Sequence, residues 1–313
     1  MFKHLLVPLD GSRLAESALP AAVRLAQLLG ATLTLVHVIE RKAPQEVHGE
    51  RHLTTREEAN AYLEEVRRRA FPATLHVNCH VHSEEVTDVA KSIVEHISEL
   101  TPDLIVMCTH GRGGLRGWLF GSIAQQVIAR HAAPVLFIRP TEYGTAPPFS
   151  CRRLLVPLDG SPAHEVGLAM AAGLAQACRA MVHIVMVVPT ISDLFGERAA
   201  TGRLLPKAMT EVLEVAQQSA DTYLARLVHP LEASGLDVTA EVSRGDSVTA
   251  IVNTAQKINA DIVVLGTHGK SGLDALYSGS VAPKVATHTR VPLLLVPLPS
   301  SQESEAPAEP PKG

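Results

Sequence analysis

The sequence lacks the features that mark three broad classes of protein. Its formal charge is -4, so it has no excess of positive charge to attract DNA or RNA. No apolar run reaches the roughly 18 residues that a membrane-spanning helix requires, and residues 1–10 do not have the layout of a signal peptide. We therefore expect a cytoplasmic protein that has neither nucleic acid nor a membrane as a partner.

Cysteine pairs with the spacing of metal or redox motifs are also missing. The four cysteines, Cys79, Cys108, Cys151 and Cys178, show no CxxC spacing, which is typical of reduced thiols rather than of a disulfide framework.

One strand-like segment places His76, Asn78, His80 and His82 on a single face, close enough for a shared metal. No fourth ligand is evident, so we interpret them as the polar side of a half-buried strand and predict no metal site.

A long internal repeat is the most informative feature that is present. The stretch LLVPLDGS occurs at residues 5–12 and again, unchanged, at residues 154–161. The 313 residues suit two domains of roughly 150 residues each. We predict domain 1 at residues 1–140, a Pro- and Gly-rich linker at 141–151, domain 2 at 152–298, and a disordered tail at 299–313.

Each half alternates apolar, strand-like runs with segments of helical periodicity. In the first half, the strands KHLLVPLD, TLTLVHVIE, ATLHVNCHVH, DLIVMC and PVLFIR alternate with four helices, and Ser83 is the predicted N-cap of the third. The second half repeats this order. The pattern predicts an α/β fold in which each domain is a five-stranded parallel sheet with helices on both faces. We expect the edge strands PVLFIR and PLLLVPL to pair and to join the domains as an internal pseudo-dimer.

Polar and glycine residues recur where open parallel sheets bind ligands, beyond the carboxyl ends of the strands. In each copy of the repeat, an aspartate, Asp10 or Asp159, follows the first strand and is predicted to lie at this edge. The fourth strand of each half runs into a glycine pattern, which comprises Gly266, Gly269, Gly279 and Ser280 in domain 2 and Cys108, Gly111, Gly121 and Ser122 in domain 1. Glycines allow a close approach of backbone to ligand, and Gly-Ser at a helix start offers N–H groups to a phosphate.

The common phosphate-binding loops do not fit this pattern. A Walker A loop would need glycine at Val264, and the dinucleotide fingerprint would need glycine at Arg116. The Gly-x2-Gly-x9-Gly-Ser spacing, together with a first strand that ends in Asp-Gly-Ser, instead resembles the universal stress protein family, specifically the tandem members of its ATP-binding branch. The resemblance covers residues 2–298.

This resemblance implies two Rossmann-like domains, of the adenine nucleotide alpha hydrolase type, that bind ATP with or without Mg²⁺ across the strand ends. In domain 2 it implies that Asp159 meets the adenine, that the backbone of Val187 recognises the base and that Gly266 lies against the ribose. Gly269, Gly279 and Ser280 are then expected to hold the phosphates. The counterparts in domain 1 are Asp10, Val38, Gly111, Gly121 and Ser122.

The two halves differ at positions that matter for this site. Cys108 stands where the pattern has glycine, and its Cβ is expected to crowd the ribose. Glu84 replaces Gly245, and with Glu85 it adds negative charge near the phosphates. We therefore predict that nucleotide binds chiefly in domain 2.

Three functions stay open at this point: an ATP-binding regulatory or stress-response protein, which is the main interpretation, a slow ATPase, and a nucleotide-independent interaction module. His110 and His268 lie near the predicted phosphates, but no partner carboxylate accompanies them, so we predict no catalytic residue. Ser12 and Ser161 can cap the first helix of each domain or contact a ligand, and we favour capping. The sequence leaves open whether two chains form a homodimer.

Overall fold

The computed structural model describes residues 2–41, 46–47, 50–86, 89–109, 133–141, 145–194, 200–202, 204–267 and 281–298. The elements of the first half are β1 (His4–Pro8), α1 (Arg13–Glu16), α2 (Leu19–Leu29), β2 (Thr32–Glu40), β3 (Glu46–Val47), β4 (Glu50–Arg51), α3 (Arg56–Ala70), β5 (Val77–Val86), α4 (Val89–Leu100), β6 (Leu104–Cys108) and β7 (Val135–Ile138).

The second half consists of β8 (Arg153–Leu158), α5 (Glu165–Cys178), β9 (Met181–Val188), α6 (Pro206–Ala233), β10 (Val238–Arg244), α7 (Ser247–Lys257), β11 (Ile262–Thr267), α8 (Val281–His288) and β12 (Leu293–Pro297). Short 3₁₀ turns lie at Pro162–His164 and Ile191–Asp193. The predicted alternation of strands and helices is confirmed among the described residues, and the helix predicted just before β7 lies outside them. We call the halves domain 1 and domain 2.

All the long strands belong to a single ten-stranded sheet with the order β10-β9-β8-β11-β12-β7-β6-β1-β2-β5. Neighbouring strands are parallel within each domain. The central pair, β12 and β7, is antiparallel, with Leu294 opposite Leu136. The edge strands of the two domains therefore pair as predicted, which leaves neither of these edges exposed.

Apolar side chains cover both faces of this sheet. Along β1, Leu5 and Val7 belong to one buried layer and Leu6 to the other, as expected for successive residues of a strand. Each layer contains residues of both domains, and α2 of domain 1 packs against α5 of domain 2. The two domains consequently share a continuous core on each face.

The first helix of domain 1 is interrupted, whereas the sequence predicted a continuous helix. It ends at Glu16, where the Ser17 hydroxyl donates to the carbonyl of Leu14 at 2.7 Å, and it resumes as α2 at Leu19. Pro20 lies in the first turn of α2, where its missing N–H costs no hydrogen bond. Gly30 ends α2 in the left-handed conformation, with φ of 63°.

The boundary between β5 and α4 differs from the prediction. The strand continues to Val86 and the helix begins at Val89, so Ser83 lies within the strand and the prediction that it is an N-cap was wrong. In domain 2, the matching strand stops at Arg244 because Gly245 turns the chain with φ of 126°. Glu84 stands at that position in domain 1, and a residue with a side chain rarely adopts this conformation. The backbone therefore stays extended there.

All four cysteines are free thiols, as predicted. Among the described helices, none combines the length and the apolar character needed to cross a membrane.

Candidate functional site

The strand order creates a crevice in each domain. In domain 2, the first strand, β8, lies between β9 and β11, so the chain leaves it toward one side and later returns on the other. Strand β1 of domain 1 has the same position between β2 and β6. Connections that depart in opposite directions leave a crevice at the carboxyl ends of the strands, where open α/β sheets bind ligands.

In domain 2, the structure brings three predicted site residues to this crevice. The last residues that pair between β8 and β9 are Leu158 and Met186. Asp159 and Val187, the next residue on each chain segment, therefore lie side by side. Gly266 lies near the end of β11, on the other side of β8.

Domain 1 has the same arrangement, since Pro8 pairs with Val36 and the register continues to Asp10 and Val38. Cys108 ends the neighbouring strand β6.

The remaining predicted residues lie outside the described part of the chain. These are Gly111, Gly121, Ser122, Gly269, Gly279 and Ser280, together with His110 and His268. The described helix α8 begins at Val281, directly after Gly279 and Ser280 in the sequence.

Asp159 is held at the edge of the domain 2 crevice by its own turn. Its Oδ1 accepts from the backbone N–H of Ser161 at 3.0 Å, and its Oδ2 lies 2.8 Å from Nδ1 of His164. The carboxylate is nevertheless 59% exposed. Because two carboxylate oxygens offer about four acceptor positions, Asp159 can accept further hydrogen bonds from a ligand.

The two serines of the repeat behave differently. Ser12 caps α1, because its hydroxyl accepts from the N–H of Ala15 at 3.1 Å and donates to Asp10 at 2.7 Å. Ser161 makes no such side-chain bond, so the prediction that it is a cap was wrong. The chain after it forms the 3₁₀ turn Pro162–His164, in which the N–H of His164 donates to the backbone carbonyl of Ser161 at 3.0 Å.

A segment of domain 1 covers the crevice of that domain. Glu50 accepts a hydrogen bond from the backbone N–H of Arg13, at the start of α1, at 2.6 Å. The side chain of Leu53 lies over Gly11, where a Cβ would be 3.1 Å from Leu53 Cδ1. We call residues 50–54 the cover segment. It lies directly against the turn that follows Asp10.

Two buried histidines lie at this turn, His37 of β2 and His52 of the cover segment. His52 is 6% exposed and His37 only 1%, and Nδ1 of His37 lies 2.8 Å from the carbonyl of Leu9. Burial lowers the pKa of His37, and the adjacent His52 acts in the same direction. Buried side chains of domain 1 therefore pack against the chain just before Asp10.

The corresponding part of domain 2 packs elsewhere. After β9, the chain turns toward α6, and Leu194 joins Val188, Met209 and Leu213 in a small separate core. Among the described residues, a Cβ on Gly160 would meet only Met186 of β9. Among the described residues, no segment of domain 2 therefore takes the place of the cover segment over the turn that follows Asp159.

The direction of the side chain at the first glycine position corrects the expectation about Cys108. In domain 2, a Cβ on Gly266 would lie 3.2 Å from the backbone oxygen of His164, at the start of α5. In domain 1, the thiol of Cys108 is correspondingly buried, and it lies close enough to Ser17 for that side chain to affect its pKa. This side chain points at the first helix of the domain, so its Cβ does not project into the crevice.

Sequence reasoning missed a hydrogen-bonded group that recurs in both domains. In domain 1, the carboxylate of Glu16 accepts from the Tyr62 hydroxyl at 3.1 Å and from Arg69 at 2.8 Å. In domain 2, Glu165 accepts from Tyr223 at 2.9 Å and from Arg226 at 3.2 Å.

The pKa of each tyrosine is raised mainly by burial, and the nearby Asp10 or Asp159 contributes. Each group therefore lies near its crevice. Glu16 and Glu165 stand at the same offset from the repeat, which is the only signal that the sequence offered.

Comparison with known proteins agrees with this duplicated architecture. The model of the universal stress protein family matches the chain twice, at residues 1–139 and 150–297. Universal stress protein Rv2623 of Mycobacterium tuberculosis is 28% identical over 310 residues, which cover 93% of this chain and 95% of that protein. Universal stress protein MJ0531 of Methanocaldococcus jannaschii is 30% identical over 151 residues, which cover 48% of this chain and 85% of that protein.

Solved structures share the fold at low sequence identity. A Pseudomonas aeruginosa protein of unknown function, PA1789, aligns over 95% of this chain and 93% of its own with a TM-score of 0.63 and 16% identity. A universal stress protein from Archaeoglobus fulgidus aligns over 96% of this chain and 97% of its own with a TM-score of 0.62 and 17% identity. With two matches of the family model that together span nearly the whole sequence, the chain belongs to the universal stress protein family.

Proposed function

We propose that this chain is an ATP-binding regulatory or stress-response protein that holds nucleotide chiefly in the crevice of domain 2. One observation carries the proposal: the carboxylate of Asp159 is 59% exposed at the switch point of the sheet, whereas the cover segment lies over the equivalent turn of domain 1. A ligand can therefore reach Asp159 directly, whereas in domain 1 it would first have to displace the cover segment.

The chemistry of the crevice suits an adenine at one end. An adenine base presents an exocyclic amine, and the exposed carboxylate of Asp159 is a strong acceptor for such a donor. Val187 lies beside Asp159 at the end of β9, so its backbone is within the same edge of the sheet. Gly266 lies near the end of β11, on the other side of β8, so its backbone also belongs to this edge of the sheet.

Two positively charged residues belong to elements at this edge of the sheet, where we propose that the phosphates lie. Arg244 ends β10, and Lys284 belongs to the first turn of α8. The N-terminus of α8 carries the positive end of the helix dipole, and it directly follows Gly279 and Ser280 in the sequence. We propose that Gly269, Gly279 and Ser280 hold the phosphates there, with or without Mg²⁺.

Calorimetric titration with ATP, in the presence of Mg²⁺ and again with EDTA, tests this proposal. We expect Asp159→Ala to weaken binding at least about tenfold, because it removes a charged hydrogen-bond acceptor. Asp237→Ala is the control, since it removes the same charge from an exposed position just before β10, at the opposite edge of the sheet. If Asp10→Ala abolished binding while Asp159→Ala left it unchanged, the site would lie in domain 1 and the proposal would be wrong.

The other two functions predict different results in the same experiment. Phosphate release at saturating ATP that stops in Asp159→Ala or in a variant of His268 would favour a slow ATPase. Wild-type protein that binds no nucleotide would favour an interaction module. One observation supports the latter: among the described residues, the exposed large apolar side chains all lie between positions 191 and 215, namely Ile191, Leu204, Leu205, Val212 and Val215.

A further inference from the structure

Two cysteine thiols of domain 2 are in direct contact. Cys151 lies two residues before β8 and is buried, while Cys178 is the last residue of α5 and is half-buried. Cys178 packs against the buried apolar cluster that contains Cys151, and each thiol shifts the pKa of the other. The N–H of Met181 donates to the carbonyl of Arg152 at 2.8 Å, so the two segments that carry the cysteines run side by side at the amino ends of β8 and β9.

The duplication of the fold does not require this pair. Each residue of the first strand and helix in domain 2 has a counterpart 149 positions earlier, as Leu154 has in Leu5. The counterparts of Cys151 and Cys178 are Phe2 and Leu29, which pack in the apolar core of domain 1. Domain 2 has a thiol at both of these contacting positions.

The surroundings make the two thiols unequal. The pKa of Cys178 is lowered by the adjacent thiol of Cys151, and the charge of Arg24, on α2 of domain 1, acts in the same direction. The pKa of Cys151 is raised by the thiol of Cys178 and by burial. Cys178 is therefore the accessible sulfur with the greater thiolate character, and Cys151 is the protonated sulfur beside it.

Neither of the other two cysteines has a lowered pKa. Burial raises the pKa of Cys79 to about 11 and that of Cys108 to about 12. Cys79 is as half-buried as Cys178, but the carboxylate of Glu64 raises its pKa further and outweighs the opposing charge of Arg67. Cys79 is thus a control for exposure that lacks the activating environment.

We propose that Cys151 and Cys178 form a redox modification site, in which hydrogen peroxide converts the two thiols into an intramolecular disulfide. The Cys178 thiolate attacks one peroxide oxygen, so an S–O bond forms, the O–O bond breaks, and the departing hydroxide takes up the proton that Cys178 had released. The Cys151 sulfur then attacks the sulfenic acid on Cys178, an S–S bond forms, and the hydroxyl leaves as water with the proton of Cys151. Two thiols lose two electrons, and one peroxide becomes two waters.

This site is separate from the proposed nucleotide site. The cysteines lie at the amino ends of β8 and β9, whereas Asp159 and Val187 follow the carboxyl ends of the same strands. Disulfide formation can therefore be tested without nucleotide, and its result does not depend on whether the chain binds ATP.

The test uses the full chain, treated with about one equivalent of hydrogen peroxide and then blocked with iodoacetamide. We expect the thiols per chain to fall from four to two and the mass before blocking to drop by about 2 Da. Trypsin cleaves after Arg152, Arg153 and Arg179, so the two cysteines fall in separate peptides that the disulfide links. Dithiothreitol should release this link.

Variants identify the reacting sulfur. Cys79→Ser should still form the linked peptides, whereas Cys178→Ala should leave the thiol of Cys151 intact after peroxide. In untreated wild-type protein at pH 7, iodoacetamide should modify Cys178 at least about tenfold faster than Cys79, because a lower pKa gives a larger thiolate fraction.

Retention of all four thiols in the wild type would overturn the proposal, and so would a disulfide that contains Cys79 or Cys108 or that joins two chains. These wild-type results do not depend on whether a variant folds.

Discussion

Gly167, in the first turn of α5, packs against Gly266 of β11 so closely that a Cβ on Gly167 would lie 3.1 Å from the backbone nitrogen of Gly266. A Cβ on Gly266 would in turn lie 3.2 Å from the backbone oxygen of His164. Both neighbours are backbone atoms and cannot rotate away. The start of α5, which carries the His164 partner of Asp159, is therefore set against β11 by two residues without side chains.

We predict that Gly167→Val separates α5 from β11. The substitution should lower the free energy of unfolding by about 1–3 kcal/mol, because overpacking forces a shift of the backbone. It should also weaken ATP binding, since His164 and Asp159 move with the helix. Chemical denaturation and calorimetry measure the two effects. Ala177→Val, at an exposed position of the same helix, is the control and should cost only about 0.5 kcal/mol.

We predict that weakening the cover segment allows domain 1 to bind nucleotide. If Glu50 and Leu53 keep ligands out, the double variant Glu50→Ala, Leu53→Ala should gain a second, weaker ATP-binding event in calorimetry. The reason is that the variant removes the carboxylate that occupies the N–H of Arg13 and the side chain that lies over Gly11. Glu57→Ala, on the exposed side of α3, should not change the stoichiometry. Unchanged stoichiometry in the double variant would show that the cover segment does not close the crevice.

Arg139 links the two domains at the centre of the sheet. It follows β7 of domain 1, and its guanidinium donates to the carbonyl of Thr289 at 3.1 Å and to that of Thr287 at 3.4 Å, at the carboxyl end of α8 in domain 2. We expect Arg139→Met to lower the free energy of unfolding by about 1–2 kcal/mol, because it removes a charged donor from a helix C-terminus. Arg152→Met, whose side chain is exposed, should change stability by less than about 0.5 kcal/mol in the same denaturation experiment.

The cap of α7 predicts a dependence of stability on pH. Asp246 accepts from the backbone N–H of Thr249 at 2.9 Å and from its hydroxyl at 2.9 Å, and these bonds hold the pKa of Asp246 below its ordinary value. A carboxyl whose pKa is lower in the folded state adds stability above its unfolded pKa, about 3.9. That stability is lost as the pH falls through the lower, folded-state value.

Asp246→Ala should therefore cost about 1 kcal/mol at pH 7 and less at about pH 3, as measured by denaturation at both pH values. Asp246→Asn separates the two effects, because asparagine caps helices as well as aspartate does but carries no charge. It should match the wild type at pH 7 and lose this part of the acid dependence. An Asn variant as unstable as the Ala variant at pH 7 would contradict this account of the cap.

Much of the architecture was predictable because it depends on local pattern. In both domains, the repeat LLVPLDGS contains most of the first strand and the aspartate that follows it. The apolar run at Leu293–Pro297 has the pattern of an edge strand, and it pairs with β7. The alternation of strands and helices, with the rules for parallel sheets, predicted that Asp159 and Gly266 share one edge, and the family resemblance added Val187.

The parts that the sequence did not predict depend on contacts between distant segments. The cover segment lies in a polar stretch without periodicity, and its position follows from the bond between Glu50 and the N–H of Arg13. The continuation of β5 past Ser83 depends on the residue at position 84. At the matching position of domain 2, Gly245 ends the strand by adopting a positive φ, whereas Glu84 stays within β5. The contact between Cys151 and Cys178 required the register of β8 with β9.

The most direct test of the central claim is the number of nucleotides that one chain holds. The full chain is saturated with ATP, freed of excess ligand, denatured, and assayed by mass spectrometry for released nucleotide. We predict about one ATP or ADP per chain, and almost none in Gly279→Val, at the proposed phosphate position of domain 2. About two nucleotides per chain would contradict the difference between the domains, and none would contradict the proposal that this protein binds ATP.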